Sequence, residues 1–66
     1  MKNSIKVQRA IYGLTQEDLA NKVQVSRQTI NAMESNKYVP STVLALKIAG
    51  VFNKTVEEIF MLDEDD

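Results

Sequence analysis

The chain has 66 residues with no cysteine and no histidine, so we expect one small domain without a disulfide and without the commonest metal ligand. The net charge is −1, but it is unevenly distributed: residues 1–40 carry a net +3 and residues 41–66 a net −4. No apolar run is long enough for a membrane span or a signal peptide, so we expect a soluble, cytoplasmic protein. A chain this short buries only about 60% of its unfolded surface, so its stability should be modest unless it self-associates.

The sequence predicts a first helix from Lys2 to Tyr12, with Asn3 or Ser4 as its N-cap. Gly13 follows the last helical residue and is typical of the left-handed position at which a helix ends.

Two short helices joined by a tight turn are predicted between Thr15 and Glu34. Thr15 is a good N-cap for the first of them, and Ser26 opens the second. Gln24-Val25 interrupts the helical pattern between them. The inward residues of the pair are apolar: Leu19, Ala20, Val23, Ile30 and Met33.

The C-terminal part predicts two more helices. Ser41 caps a fourth helix that runs to about Phe52, and its apolar residues cover more than one face, so it is central or shared with a partner. Thr55 caps a short fifth helix and forms a capping box with Glu58. The domain therefore covers residues 1–62, and residues 63–66 are predicted to be an acidic disordered tail.

The outward face of the third helix is rich in amide, hydroxyl and guanidinium groups and has no acid before Glu34. Such a face suits hydrogen bonding to base edges in the major groove of DNA. Arg27 can bind guanine, Gln28 can bind adenine, and Ala32 can contact a thymine methyl group. The predicted base-contacting residues are Arg27, Gln28, Asn31 and Ala32, with Thr29 on a base or a phosphate. The alternative is a solvated polar helix.

Several segments carry a resemblance to a known family: LTQEDLA (residues 14–20), VSRQTI (25–30), NKYVPS (36–41), ALKIA (45–49) and VEEIF (56–60). In this order and spacing the chain resembles lambda-repressor and Cro-like helix-turn-helix regulators of the xenobiotic-response-element type. The resemblance implies an all-α, five-helix DNA-binding domain in which helices two and three form the helix-turn-helix. It also implies a possible short strand pairing of Met61 and Leu62 with Lys2 and Asn3.

Two positions depart from the family pattern. Gln24 stands at the inter-helix turn, where the family often has glycine, and a left-handed backbone there costs roughly 1–2 kcal/mol. Gln8 stands where the family usually has a large apolar residue in its first helix.

The resemblance also assigns roles to three polar side chains. Gln16 begins helix two, where the family uses glutamine to hold a DNA phosphate and where the helix dipole favours an anion. Arg9 and Glu34 correspond to an internal ion pair that locks the first helix to the third. The alternative is a solvated pair worth under about 1 kcal/mol.

The loop after the third helix completes the predicted DNA contacts. Its amides, hydroxyls and ammonium group can bind the phosphate backbone and position the protein without reading sequence. These predicted phosphate contacts are Ser35, Asn36, Lys37 and Tyr38, together with Gln16 and Thr29.

The sequence thus predicts a sequence-specific regulator of transcription, a repressor that binds a palindromic operator in double-stranded DNA as a homodimer. The predicted dimer surface is Val51, Val56, Ile59, Phe60 and Met61, although the same residues can instead close the monomer core. Other interpretations are the antitoxin or controller protein of a small operon and a protein-interaction module that has kept the fold. We expect no enzymatic activity, cofactor, metal, membrane contact or small-molecule effector site.

Overall fold

A computed structural model describes all 66 residues and contains five helices and two short strands. The helices are α1 (Ile5–Tyr12), α2 (Gln16–Val23), α3 (Arg27–Glu34), α4 (Thr42–Val51) and α5 (Val56–Ile59), and the strands are β1 (Lys2–Asn3) and β2 (Phe60–Met61). The predicted five-helix fold with a short terminal β pairing is confirmed. No helix has the length and apolar composition that crossing a membrane requires.

Four of the five helices begin at a hydroxyl side chain that accepts a hydrogen bond from the backbone N–H three residues further on. These N-caps are Thr15, Ser26, Ser41 and Thr55. In α2 and α5 the bond is reciprocal, because the carboxylates of Asp18 and Glu58 accept from the backbone N–H of the capping threonine. Local hydrogen bonds therefore fix where these helices start.

Helices α1 to α4 each end at a turn of the same kind, which has one residue in the left-handed region. These residues are Gly13 (φ 68°), Gln24 (φ 63°), Asn36 (φ 61°) and Asn53 (φ 54°). After each, the next backbone N–H donates to the carbonyl five residues back, for example Val25 to Ala20 at 3.0 Å. This pattern satisfies carbonyls that a helix end leaves free. Gln24 thus adopts the conformation expected for it, and the helix-turn-helix keeps its geometry without a glycine.

The core consists of thirteen buried hydrophobic residues and no buried polar residue. Ala20 of α2 and Ile30 of α3 are both buried where these helices pack, which fixes the angle of the motif. Helix α4 crosses the centre and buries Leu44, Ala45, Ile48 and Ala49, but its other side leaves Val43 and Leu46 exposed.

The N-terminal segment differs from the predicted first helix. Helix α1 begins at Ile5, because Lys2 and Asn3 instead pair antiparallel with Met61 and Phe60. The register is one residue earlier than predicted, and Leu62 lies outside the pairing. Asn3 accepts a hydrogen bond from the N–H of Ile5 through Oδ1 and donates from Nδ2 to the carbonyl of Met33. Asn3 therefore both starts α1 and ties β1 to the end of α3.

Two residues assigned to the dimer surface are core residues in the structure, which corrects the prediction. Ile59 is fully buried, and Phe60 is 7% exposed. Side chains alternate along a strand, so β2 turns Phe60 inward and Met61 outward. For Ile59 and Phe60 the alternative interpretation therefore holds, namely that these residues close the core of the monomer.

The final acidic residues form a turn against the N-terminus rather than a free tail. The amino group of Met1 lies 3.1 Å from a carboxylate oxygen of Asp63 and 3.1 Å from one of Asp66. The N–H of Asp63 also donates to the Asp66 carboxylate at 2.7 Å. The sequence pattern missed the contact of this turn with Met1 because these ion pairs join opposite ends of the chain.

Candidate nucleic-acid interface

Helix α3 presents a polar face to solvent because its apolar residues anchor it from the other side. Ile30 and Met33 are buried, whereas Arg27, Gln28 and Asn31 are exposed. Thr29 and Ala32 lie half-buried at the edges of this face. We call the outward side of residues 27–32 the recognition face. Its three exposed side chains carry guanidinium and amide groups, which are the groups that pair with base edges.

Two short-range contacts shape the edges of the recognition face. The hydroxyls of Thr29 and Ser26 are hydrogen-bonded at 3.0 Å, so the Thr29 hydroxyl takes part in the helix cap. The Asn31 Oδ1 accepts a hydrogen bond from the Ser35 hydroxyl at 3.3 Å. This bond leaves the amide NH₂ group of Asn31, a donor, free for an acceptor outside the protein.

Gln16, the first residue of α2, lies beside both ends of α3. Its Nε2 donates to the Glu34 carboxylate at 3.1 Å, and its Oε1 accepts from the Arg27 guanidinium at 3.4 Å. Gln16, the predicted phosphate contact, therefore lies next to Arg27, the first residue of the recognition face. The helix N-terminus there favours an anion.

Arg9 and Glu34 form a two-pronged ion pair between α1 and the end of α3. Arg9 Nε and Nη2 donate to the two carboxylate oxygens at 2.6 and 3.0 Å, and Arg9 Nη1 donates to the Leu14 carbonyl at 3.0 Å. The side chains are 15% and 8% exposed, so the pair is mostly removed from water.

The ionisation of this pair follows from the same contacts. Burial by itself raises the pKa of the Glu34 carboxyl, but the hydrogen bonds from Arg9 and Gln16 outweigh it, and the pKa lies below its ordinary value. The hydrogen bonds to Glu34 raise the pKa of Arg9. Both groups are charged at neutral pH, so the pair adds no net charge to this side of the molecule.

The loop after α3 continues the polar surface. Ser35, Asn36, Lys37 and Tyr38 are all exposed, and the left-handed Asn36 turns the chain so that the loop follows directly on the recognition face. The ammonium group of Lys37 and the hydroxyl of Tyr38 have no partner within the protein, which leaves them available to a ligand.

The contacts of Gln16 with Glu34 and Arg27 were not foreseen from the sequence. Each residue carried a separate predicted role, and no spacing rule links positions 16, 27 and 34. The only available signal was the resemblance, which places the start of α2 near α3.

A second surface feature is an apolar groove of about 420 Å³ between α4, α5 and the loop before α4. We call it the α4–α5 groove. Its lining includes Val39, Pro40, Leu46, Val56 and the edge of Phe60. Val39 and Leu46 are 63% and 58% exposed, so the groove is open to solvent. Of the remaining predicted dimer residues, Val51 is half-buried and Met61 is exposed, and neither lines the groove.

Comparison with known proteins adds family evidence to this geometry. A helix-turn-helix family model of the Cro/C1 type matches residues 5–59. The chain is 54% identical to an uncharacterized HTH-type transcriptional regulator of Methanocaldococcus jannaschii, and each chain is covered completely. It is 50% identical to one of Archaeoglobus fulgidus, over the whole of this chain and 94% of the relative. It is 47% identical to one of Bacillus subtilis, again over both complete chains.

The family match spans all five helices and includes the recognition face, Gln16 and the Arg9–Glu34 pair. The expected resemblance is therefore confirmed over most of the chain. The chain belongs to the Cro/C1-type helix-turn-helix family of transcriptional regulators.

Proposed function

We propose that this DNA-binding regulator recognises a specific palindromic operator as a homodimer and represses transcription by occupying it. The observation that carries the proposal is the recognition face, where Arg27, Gln28 and Asn31 are exposed on a helix whose other side is anchored in the core. The supporting observation is that Gln16 and the loop after α3 flank this face on the same helix-turn-helix.

Each side chain of the recognition face has a chemically defined role. Arg27 reads guanine through two parallel N–H donors, and Gln28 reads adenine by donating and accepting at once. Asn31 donates to an acceptor at the edge of the site, because its oxygen is held by Ser35. Ala32 presents a methyl group, which suits contact with a thymine methyl.

Phosphate contacts position the recognition face in the groove. Gln16 binds a phosphate at the N-terminus of α2, and Thr29 contacts a phosphate from α3. On the other side of the face, Ser35, Asn36, Lys37 and Tyr38 bind the backbone through hydroxyl, amide and ammonium groups. Lys37 contributes a full charge, so binding displaces counterions and weakens with salt.

The dimensions of the chain favour a dimer. Its longest extent is 31 Å, shorter than the roughly 34–36 Å that separates successive major grooves on one face of DNA. One chain therefore contacts one half-site. A single module buries only about 600–1,000 Å² on DNA, which limits its affinity unless a second copy is joined to it.

The α4–α5 groove is the surface that we assign to the second copy, in place of the buried Ile59 and Phe60. Val39 and Leu46 expose most of their side chains at its rim, and Val56 lines its wall. A contiguous apolar patch on a protein surface marks a candidate interaction site, and a twofold dimer buries the same patch on both copies. Repression follows from dimer occupancy of promoter DNA and needs no further contact.

Selection of bound duplexes from a random DNA pool tests the DNA part of the proposal. We expect an enriched palindrome whose half-sites are centred about 10–10.5 base pairs apart or a multiple of that spacing. Binding to that duplex should fall with salt at a log–log slope of about −0.9 for each phosphate neutralised. Failure to enrich any sequence, together with a salt-insensitive residual affinity, would refute it.

Sedimentation equilibrium tests the dimer part. We expect Leu46→Glu to shift the wild-type dimer to monomer, because it places a charge in an apolar interface. Val7→Glu is the matched control, since Val7 is 58% exposed on α1 and does not line the groove. A monomeric wild type, or equal effects of both substitutions, would contradict the assigned interface.

A further inference from the structure

Four polar side chains form a continuous chain of contacts from α1 to the recognition face. Arg9 donates to Glu34, Gln16 donates to the same Glu34 oxygen Oε1, and Arg27 donates to Gln16. Arg9, Glu34 and Gln16 are partly buried, and Glu34 is the least exposed of the four side chains. The chain therefore begins in a nearly dry ion pair and ends at an exposed guanidinium.

The chemistry of these groups permits only one direction for every hydrogen bond. An ionised carboxylate accepts only, so the atom of Gln16 that faces Glu34 must be the amide nitrogen. Its carbonyl oxygen then points the other way, toward Arg27. A guanidinium donates only, so it binds that oxygen and would be repelled by an amide NH₂ group. Glu34 thus determines which end of the Gln16 amide Arg27 meets.

We propose that Glu34 is a positioning residue for base readout: it orients the Gln16 amide, which in turn aligns the Arg27 guanidinium toward its base. This proposal rests on the proposed function, because it explains how the side chain of one proposed base contact, Arg27, is positioned. Glu34 itself contacts no DNA. The link from Arg27 to Gln16 uses a donor on Nη1 alone, at 3.4 Å, so the other donors of the guanidinium stay free for guanine.

The test separates the acceptor role of Glu34 from its role in stability. Glu34 cannot be changed alone without leaving the partly buried Arg9 guanidinium without its carboxylate partner, so two double variants are compared. Arg9→Met/Glu34→Met removes the ion pair and the acceptor together. Arg9→Met/Glu34→Gln also removes the ion pair but keeps a side-chain oxygen for Gln16. Replacing such a pair as a unit by apolar groups is often neutral for stability, so Arg9→Met/Glu34→Met should fold. Arg9→Met/Glu34→Gln should fold as well, because glutamine has nearly the shape of glutamate and keeps an acceptor for Gln16.

The readout is the relative affinity for every single-base change in the site selected by the wild type. The base position at which Arg27→Ala loses its preference defines the Arg27 position. We expect Arg9→Met/Glu34→Met to lose about tenfold of the preference at that position only, within the range of one bidentate base contact. Arg9→Met/Glu34→Gln should lose less of it, because its side-chain oxygen can accept from Gln16 while its NH₂ group can also donate, so the amide is oriented only in part. The proposal would be overturned if folded Arg9→Met/Glu34→Met kept the wild-type base preference at the Arg27 position, or if it lost base preference equally at all positions.

A measurement on free protein decides the contact chain without DNA. The Arg27 Nε–H group should show restricted picosecond-to-nanosecond motion by ¹⁵N relaxation in the wild type and increased motion in Gln16→Leu. A comparable increase should follow in Arg9→Met/Glu34→Met, and a smaller one in Arg9→Met/Glu34→Gln. Unchanged Arg27 motion in all variants overturns the positioning role by itself, whether or not the Met/Met protein is stable. Failure to enrich any duplex refutes only the proposed function.

Discussion

Replacing Arg9 by methionine leaves the Glu34 carboxylate buried with only Gln16 as a hydrogen-bond donor. The wild-type side chains are 15% and 8% exposed, so the pair is largely but not fully removed from water. Breaking such a pair on one side costs roughly 3–5 kcal/mol, and the residual exposure of Arg9 favours the lower end, about 3 kcal/mol. With an unfolding entropy of about 2.1 cal/mol/K per residue, this lowers the thermal midpoint by about 20 °C.

The pH dependence of this loss identifies its cause. In the wild type the pKa of Glu34 is lowered, so its contribution to stability is present above its unfolded pKa, near 4.5, and is lost as the pH falls through the folded pKa. In Arg9→Met the Glu34 carboxylate has lost its ion-pair partner, so burial is opposed by fewer contacts, the pKa of Glu34 rises above its wild-type value, and protonation relieves part of the cost. The difference in unfolding free energy between the two proteins should therefore shrink as the pH falls from 7 to about 4.

The assay is urea unfolding followed by far-ultraviolet circular dichroism at pH 7 and pH 4. Arg27→Met is the matched control, because it makes the same substitution at an exposed arginine and should change stability by less than about 0.5 kcal/mol. A loss in Arg9→Met no larger than in this control would show a solvated pair. A loss that stays constant with pH would show that lost packing, not the carboxylate, is responsible.

Three further substitutions test other features. Gly50→Ala should raise the free energy of unfolding by about 0.5–1 kcal/mol in urea titrations, because Gly50 is helical and an added Cβ meets nothing within 4 Å. A lower free energy of unfolding would contradict the open space found around Gly50. Gln8→Leu should raise it by about 1 kcal/mol, since Gln8 Oε1 is buried without a partner; no gain in thermal midpoint would indicate that the oxygen is hydrated. Gln28→Ala should cost about 1–3 kcal/mol in competition binding at one base position, whereas equal losses on all duplexes would remove it from base readout.

The features that the sequence predicted are those with local causes. Thr15, Ser41 and Thr55 cap their helices through backbone groups three residues away, so short patterns suffice. The left-handed positions of Gly13 and Asn36 likewise depend on the residue type and the adjacent helix. The helix-turn-helix was therefore predictable to within a residue or two.

The features that were missed depend on contacts between distant parts of the chain. Lys2 and Asn3 continue the helical pattern by composition, and only the resemblance indicated the pairing that holds them extended, with its register one residue off. Ile59 and Phe60 are apolar in either role, so composition could not separate core from interface. The link from Gln16 to Glu34 required the placement of α2 against the end of α3.

Backbone amide shift mapping with the selected duplex tests most directly whether the recognition face meets the bases. On addition of one equivalent of duplex, we predict that the largest ¹H–¹⁵N changes fall on residues 27–32, at Gln16 and in the loop of residues 35–38. The amides of α1 should change little. Changes concentrated on α1 or confined to α4 and α5, with residues 27–32 unaffected, would contradict the account.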